Sequence, residues 1–488
     1  MKKFWKYVLI SILLLIGLMA VALLYLFFVP NASLFGITYI SYNKESFSSA
    51  YNADEVNSIT LTSQNYNVYV VPSPTETISV KVFANSFGFT LEKNSKVNIS
   101  QSLQNRVATF NITEPSGLAL KNSSYIQLRV PAGKEYNLTL KNKSSETFIM
   151  ASTNQPELET PTFSNLYFET SKGILNCNKG TITSLLDLNI NNGKVIINKD
   201  FSLNENNVVL NYGTGSFIAN HHAFNNITIE SSARGVTIFK HCKKLTQNTP
   251  NAGGKLDAGT VETVDITSAD TNVIINTLNM GGNTTLSKSG KIEVGNLNGV
   301  ADLHTHNGNI VIANASAPAY LESSNGNIDV TSSSYIGKAI TTYGNINISF
   351  ADTAGHYQTT NTLRHVNAKT HNGKITISGA ENVALEITGK GSLNLNMLNV
   401  LGNNIIAGEN GNLYVQFADN VKFKLATQSS FGSVSVNVLG ETSLGSGGYS
   451  GNQYQEAFIN GATSNANNLS ISSNYGNIKV REASVAEF

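Results

Sequence analysis

Few residues in this chain could do chemistry, and they are scattered. His304, His306 and His371 suggest a metal site at first sight. His306 and His371, however, occupy the same place in a sequence repeat, three units apart. In a stacked repeat that is ~14 Å along the axis, too far to share one ion. His221, His222 and His241 form a second, looser group. Polysaccharide hydrolysis would need two carboxylates about 5–10 Å apart. Asp257, Glu293 and Asp329 instead fall on separate repeats among Lys and Asn. Gly253-Gly254-Lys255-Leu256-Asp257 lacks the spacing of a calcium-binding nonapeptide, and no phosphate-cradling loop is present. Two cysteines give no disulfide framework. Cys177 and Cys242 sit three repeats apart, ~14 Å, so both are expected as free thiols. The sequence therefore predicts no catalytic residue, no metal and no cofactor.

The composition agrees. Charged residues make up 13% of the 488 residues and the net charge is +1. That leaves no basic footprint for a nucleic acid. A polar surface must come mainly from Asn, Ser and Thr, which suit ladders of neutral side chains along a stack.

The elements that position these residues come from the repeat. Asn307-Gly308-Asn309-Ile310-Val311-Ile312, Asn325-Gly326-Asn327-Ile328-Asp329-Val330 and Tyr343-Gly344-Asn345-Ile346-Asn347-Ile348 place their glycines 18 residues apart. In a strand, Ile310 and Ile312 share one face, as do Ile328 with Val330 and Ile346 with Ile348. The glycine suits a corner where backbone angles closed to other residues are needed. Eighteen residues cannot bury a core alone; stacked coils can. Further copies follow Gly173, Gly193, Gly254, Gly290, Gly373, Gly391, Gly411, Gly432 and Gly476, with degenerate ones at Gly215, Gly235 and Asn272. The sequence thus predicts an all-β, single-stranded β-helix or solenoid, right-handed in preference, of about 15 coils of ~18–22 residues and roughly 70 Å long.

Residues 8–29 form an apolar run that, as a helix, would be about 33 Å long and could cross a bilayer. Lys2, Lys3 and Lys6 precede it and the next charge is Lys44, so residues 1–7 are expected in the cytoplasm and the rest outside. Trp5, Tyr7, Tyr25, Phe27 and Phe28 suit the two interfaces. We read an uncleaved anchor in a cell membrane; the rival is a signal peptide cut after Ala20-Val21-Ala22. Residues 30–54 read as a tether, 55–165 as a β-rich cap of the stack (or a separate sandwich), 166–481 as the solenoid and 482–488 as a tail.

Two coils are overlong, with surplus residues near 351–364 and 441–467. Read in chain order, the two coils are four apart, so both loops would leave one edge ~19 Å apart. Insertions on one face often mark a binding side. The first carries His356, Tyr357, Arg364 and His365; the second carries Tyr449, Tyr454, Gln455, Glu456 and Phe458. Such aromatic and polar groups suit envelope glycans or a surface protein.

Ile59-Thr60-Leu61 with Val68-Tyr69-Val70, a strand ending Leu128-Arg129-Val130-Pro131, and the many Asn-Gly-Asn-Ile copies together resemble the bacterial "putative adhesin" family. The resemblance covers residues 55–481. It implies a β-solenoid domain of unknown function, often tethered by one N-terminal helix, with a surface-adhesion or envelope role and no catalytic residues to carry over. This chain departs from that pattern in being long, Asn-rich and twice interrupted. The expected function is a non-catalytic, membrane-anchored module outside the cell. The alternatives are a carbohydrate-active β-helix enzyme and a self-assembling surface protein, and the oligomeric state is left open.

Overall fold

The structure is a computed structural model and describes residues 2–28, 33–34, 37–90, 96–115, 118–151, 157–203, 206–231, 234–350, 364–438, 442–449, 452–464 and 466–483. It is nearly all strand apart from one apolar helix, and it divides into two compact units, Met1–Phe224 and Asn225–Phe488.

The first unit begins with the helix Lys2–Phe28. A helix that is apolar all round needs a partner on every side. Among the described residues none covers it: across Phe4–Ala22 the helix is unburied. The stretch expected to be a tether contains a strand, Ile37–Asn52, paired antiparallel with Thr77–Thr90. The alternation Phe47, Ser49, Tyr51 supplies the strand pattern, but its partners lie 25 to 52 residues downstream and could not be read locally. Thr77–Thr90 also pairs antiparallel with Tyr125–Val130.

Parallel pairing then takes over. Ser58–Ser63 lies between Val107–Thr113 and Glu135–Asn142, and the file continues through Thr162–Thr170 and Gly180–Ile190 to Asn207–Tyr212. A second file runs from Tyr125–Val130 through Asn67–Pro72, Glu146–Ile149 and Ile174–Cys177 to Lys194–Ile197. Inward Leu61, Leu138, Leu166, Leu186 and Leu210 are fully or almost fully buried. Cys177 in this unit is free and completely buried.

The second unit is a stack of coils in register. Ile292, Ile310, Ile328, Ile346, Ile375, Leu393, Leu413 and Ile478 are consecutive partners in one parallel ladder. Each is at most 1% exposed, so the expected shared column exists. A parallel second file supplies the opposite wall, including Leu303, Leu321, Ala339, Ala368 and Leu385.

The corners are glycine for a reason other than the one expected. Among the regular copies only Gly290 and Gly411 have φ in the left-handed region. At Gly308, Gly326, Gly344 and Gly373 a Cβ would instead overlap the carbonyl group of the stacked glycine below, at Gly290, Gly308, Gly326 and Gly344 in turn. Stacking distance, more than backbone angle, excludes a side chain.

A buried hydroxyl completes several of the corners. Ser323 Oγ donates to Gly308 O at 2.8 Å and accepts the Gly326 amide at 2.8 Å. Thr305 bridges Gly290 and Gly308 in the same way, Thr341 bridges Gly326 and Gly344, and Ser429 bridges Gly476 and Gly432. Outside, neutral amides form ladders, as in Asn325 Nδ2 to Asn307 Oδ1 at 2.6 Å.

Spatial and chain order part at the C-terminal end. Asn468–Ser473 lies between Asn403–Asn410 and Phe423–Ser429, and Ile478–Ala483 lies between Leu413–Ala418 and Val434–Asn437. The last coil in sequence is thus inserted beneath the previous one. The 441–467 surplus is an antiparallel hairpin, Thr442–Tyr449 with Asn452–Ile459, and Asn452–Ile459 pairs with Phe423–Ser429. It extends a sheet edge instead of leaving as a loop.

Candidate functional site

Most of the residues weighed for chemistry are engaged by a neighbour. Lys255 pairs with Asp257 at 3.0 Å and Lys291 with Glu293 at 2.6 Å, while Asn347 Nδ2 donates to Asp329 at 2.6 Å. His304 stands between Asp302 at 2.5 Å and Glu322 at 3.6 Å, and Glu322 also meets Lys338 at 3.2 Å. The His306 and His371 Nδ1 atoms lie 3.0 Å from Ser324 Oγ and Thr388 Oγ1 respectively. His222 is buried, its Nε2 2.9 Å from Asn198 O, and burial lowers its pKa. Among the described residues no group of three or more His, Cys, Asp or Glu is placed to hold a metal. Burial pushes the Cys177 thiol up and the Cys242 thiol up to about 12.

The insertion residues divide. His356 and Tyr357 lie outside the described residues, and of Tyr449 only its place on the strand Thr442–Tyr449 is described. Arg364 and His365 are built into the ladder. Arg364 O accepts the Glu381 and Asn382 amides at 3.0 and 3.2 Å. His365 opens the strand His365–Thr370, with Nδ1 2.7 Å from Asn382 Oδ1 and its ring 5.4 Å from Tyr335.

Tyr454 and Phe458 lie on the hairpin strand Asn452–Ile459. His365–Thr370 and this strand are separated by the strands Asn382–Lys390, Asn403–Asn410, Asn468–Ser473 and Phe423–Ser429. Five strand spacings make that ~24 Å, so the structure does not bring the two groups together. The two overlong coils are likewise five apart and not four, because the last coil has moved between them.

What the sequence reading missed is the surface beside Tyr454. Outward positions on this face carry charges over much of the second unit: Glu322, Lys338, Lys369 and Glu386. Over the next three strands they are mostly uncharged: Ile405 and Ala407, then Ser470 and Ser472, then Ala426 and Gln428, with Lys424 the charge on the third. The fourth strand then raises a wall, with Glu456 opposite Ala426 and Tyr454 opposite Gln428. Glu456 is neutralised by an ion pair with Lys424. The result is an open trough of about 420 Å³ lined by Ala426, Gln428, Tyr454, Glu456, Ser470 and Ser472, among others. Tyr454 is 51% exposed, and its ring lies within 3.0–3.4 Å of where a Cβ at Gly447 would sit. The small outward residues were visible in sequence; their adjacency was not, because it depends on the permuted order of coils.

Comparison with known proteins bears on the fold. No curated protein matches the chain. A solved "putative cell adhesion protein" from Clostridium sporogenes is 9% identical, with 90% of this chain and 100% of that one covered, at a TM-score of 0.15. A "putative adhesin" from Bacteroides fragilis is 14% identical, with 59% and 96% covered, at a TM-score of 0.20. Scores this low carry no argument about this chain. The family model described as Toastrack DUF4097 is different in kind: it matches residues 56–378, about two thirds of the chain, running from the first parallel strands well into the stacked coils. On that match, the chain belongs to the Toastrack DUF4097 family, a family of unknown function.

Proposed function

We propose that this protein is a membrane-anchored β-solenoid displayed outside the cell, where it binds cell-envelope material or another surface and catalyses nothing. Residues 8–29 cross the membrane, residues 1–7 stay in the cytoplasm, and the solenoid is the working part. The carrying observation is the helix Lys2–Phe28, whose apolar side chains across Phe4–Ala22 are left uncovered by the described residues. Leu13, Leu15 and Leu18 are 60–65% exposed, a surface that a hydrocarbon layer would bury. The exterior of the stack supports the binding half: neutral amide ladders and charges tied in pairs present a surface fit for contact.

Protease shaving of intact cells tests the topology. The solenoid should be digested from outside while an epitope at residues 1–7 survives. A solenoid protected until the cells are lysed would refute the placement. Incubating the purified chain with envelope polysaccharides should release no product; any release would refute the non-catalytic role.

A further inference from the structure

We propose that the trough beside Tyr454 is a binding site for a neutral oligosaccharide. This names a ligand for the binding role above and rests on that reading. Three features of the site point to this ligand class. First, the floor is short: Ala426, Ser470 and Ser472 on two hydrogen-bonded strands leave the backbone surface within reach of a ring lying across it, with the exposed Ile405 of the next strand beside Ser470 at the far edge. Second, the groups that face it are hydroxyls, an amide and a carboxylate, from Ser470, Ser472, Gln428 and Glu456. Such groups can donate to and accept from the hydroxyls of one polyol. Third, Tyr454 offers a half-exposed aromatic ring at the wall, an apolar body with a polar tip. An aromatic surface and a row of polar groups match the two characters of a pyranose, whose C–H face is apolar and whose rim is hydroxylated.

Charge excludes the acidic and basic alternatives. Glu456 is the carboxylate of the site, and Lys424 compensates it. An anionic polymer would find no uncompensated cation among the described lining residues, and a cationic one no uncompensated acid. The volume, about 420 Å³, lies in the range of small-ligand sites and suits a short oligosaccharide.

The support beneath Tyr454 is also built in. Gly447 faces it across the hairpin, and a Cβ at Gly445 on the same strand would sit 3.9 Å from the ring. A side chain at Gly447 would push the ring aside without touching the floor.

The test uses the full chain in lipid nanodiscs, titrated calorimetrically with cellotetraose, chitotetraose and maltotetraose. At least one should bind. Tyr454→Ala should weaken it by about tenfold or more, Tyr454→Phe should retain it, and Ser470→Arg, which fills the floor, should abolish it. Thermal melts identical to the parent identify variants that are folded. Gly447→Val gives an independent route to the same loss. The proposal is overturned if none of the three sugars binds, or if binding survives both Tyr454→Ala and Ser470→Arg. Attachment of cells is measured in parallel: attachment undiminished by Ser470→Arg, with no sugar bound, removes the trough while leaving the adhesive role standing.

Discussion

At the scale of single residues, the corner hydroxyls hold the stack together more specifically than the glycines do. Ser323 is fully buried and satisfies two backbone groups on two successive coils. Removing it strands a buried amide and a carbonyl, which costs about 1–3 kcal/mol. Ser323→Ala should therefore speed hydrogen exchange at the Gly326 amide by about tenfold or more. Ser323→Thr should leave it protected, because Thr305 and Thr341 do the same work in the neighbouring coils. The pattern was open to reading: Thr305, Ser323, Thr341, Thr370, Ser429 and Ser473 each stand three residues before a corner glycine. It escaped attention because a hydroxyl in an Asn- and Ser-rich chain looks like surface. Glu114 was hidden for another reason. It accepts the amides of Gln64, Asn65 and Tyr66 at 2.8, 2.5 and 3.1 Å, from about 50 residues away, and no local signal announces such a contact. Burial raises its pKa above the ordinary 4.5, although the three amides pull it back. The folded state then holds the proton more tightly than the unfolded chain. This group's contribution to stability is fully present below the unfolded pKa and is lost as pH rises through the raised folded value. Glu114→Gln should abolish that slope just above pH 4.5 in denaturation midpoints. The same variant should cost about 1–3 kcal/mol, since one amide of the turn loses its acceptor.

At the scale of elements, the strand files were legible because they are periodic. Ile310, Ile328 and Ile346 recur every 18 residues, and two-residue alternation fixes which face they share. The order of coils was not legible. Gly411, Gly432 and Gly476 carry the same local pattern, and nothing in that pattern says which stacks on which. In the structure a Cβ at Gly476 would meet Gly411, and one at Gly432 would meet Gly476. Position in the stack gives a graded prediction. Gly326→Ala places a methyl group against backbone on an interior coil, an overpacking that costs about 1–3 kcal/mol. Gly133→Ala, where a Cβ would meet nothing within 4 Å, should leave the melting temperature unchanged. Equal shifts for the two would mean that the stacked carbonyls are not what requires glycine.

At the scale of the whole molecule, charge decides how binding should respond to salt. Several exposed charges are tied to a near neighbour of opposite sign, as in Lys141–Glu169 at 3.4 Å and Lys369–Glu386 at 2.8 Å, and the 33 basic and 32 acidic residues nearly cancel to a net charge of +1. A chain so close to neutral has little long-range field to be screened. Adhesion through a charged patch would weaken steeply as the Debye length falls from ~10 Å at 0.1 M to ~3 Å at 1 M salt. Adhesion through hydroxyls, amides and an aromatic ring has no such dependence, because its contacts are short and uncharged. Attachment of cells displaying the protein should therefore change by less than about twofold between 0.1 and 1 M sodium chloride. A fall of tenfold or more would place the contact on the lysines and carboxylates of the outer ladders instead. It would remove the neutral trough as the main point of attachment, whatever sugar it holds.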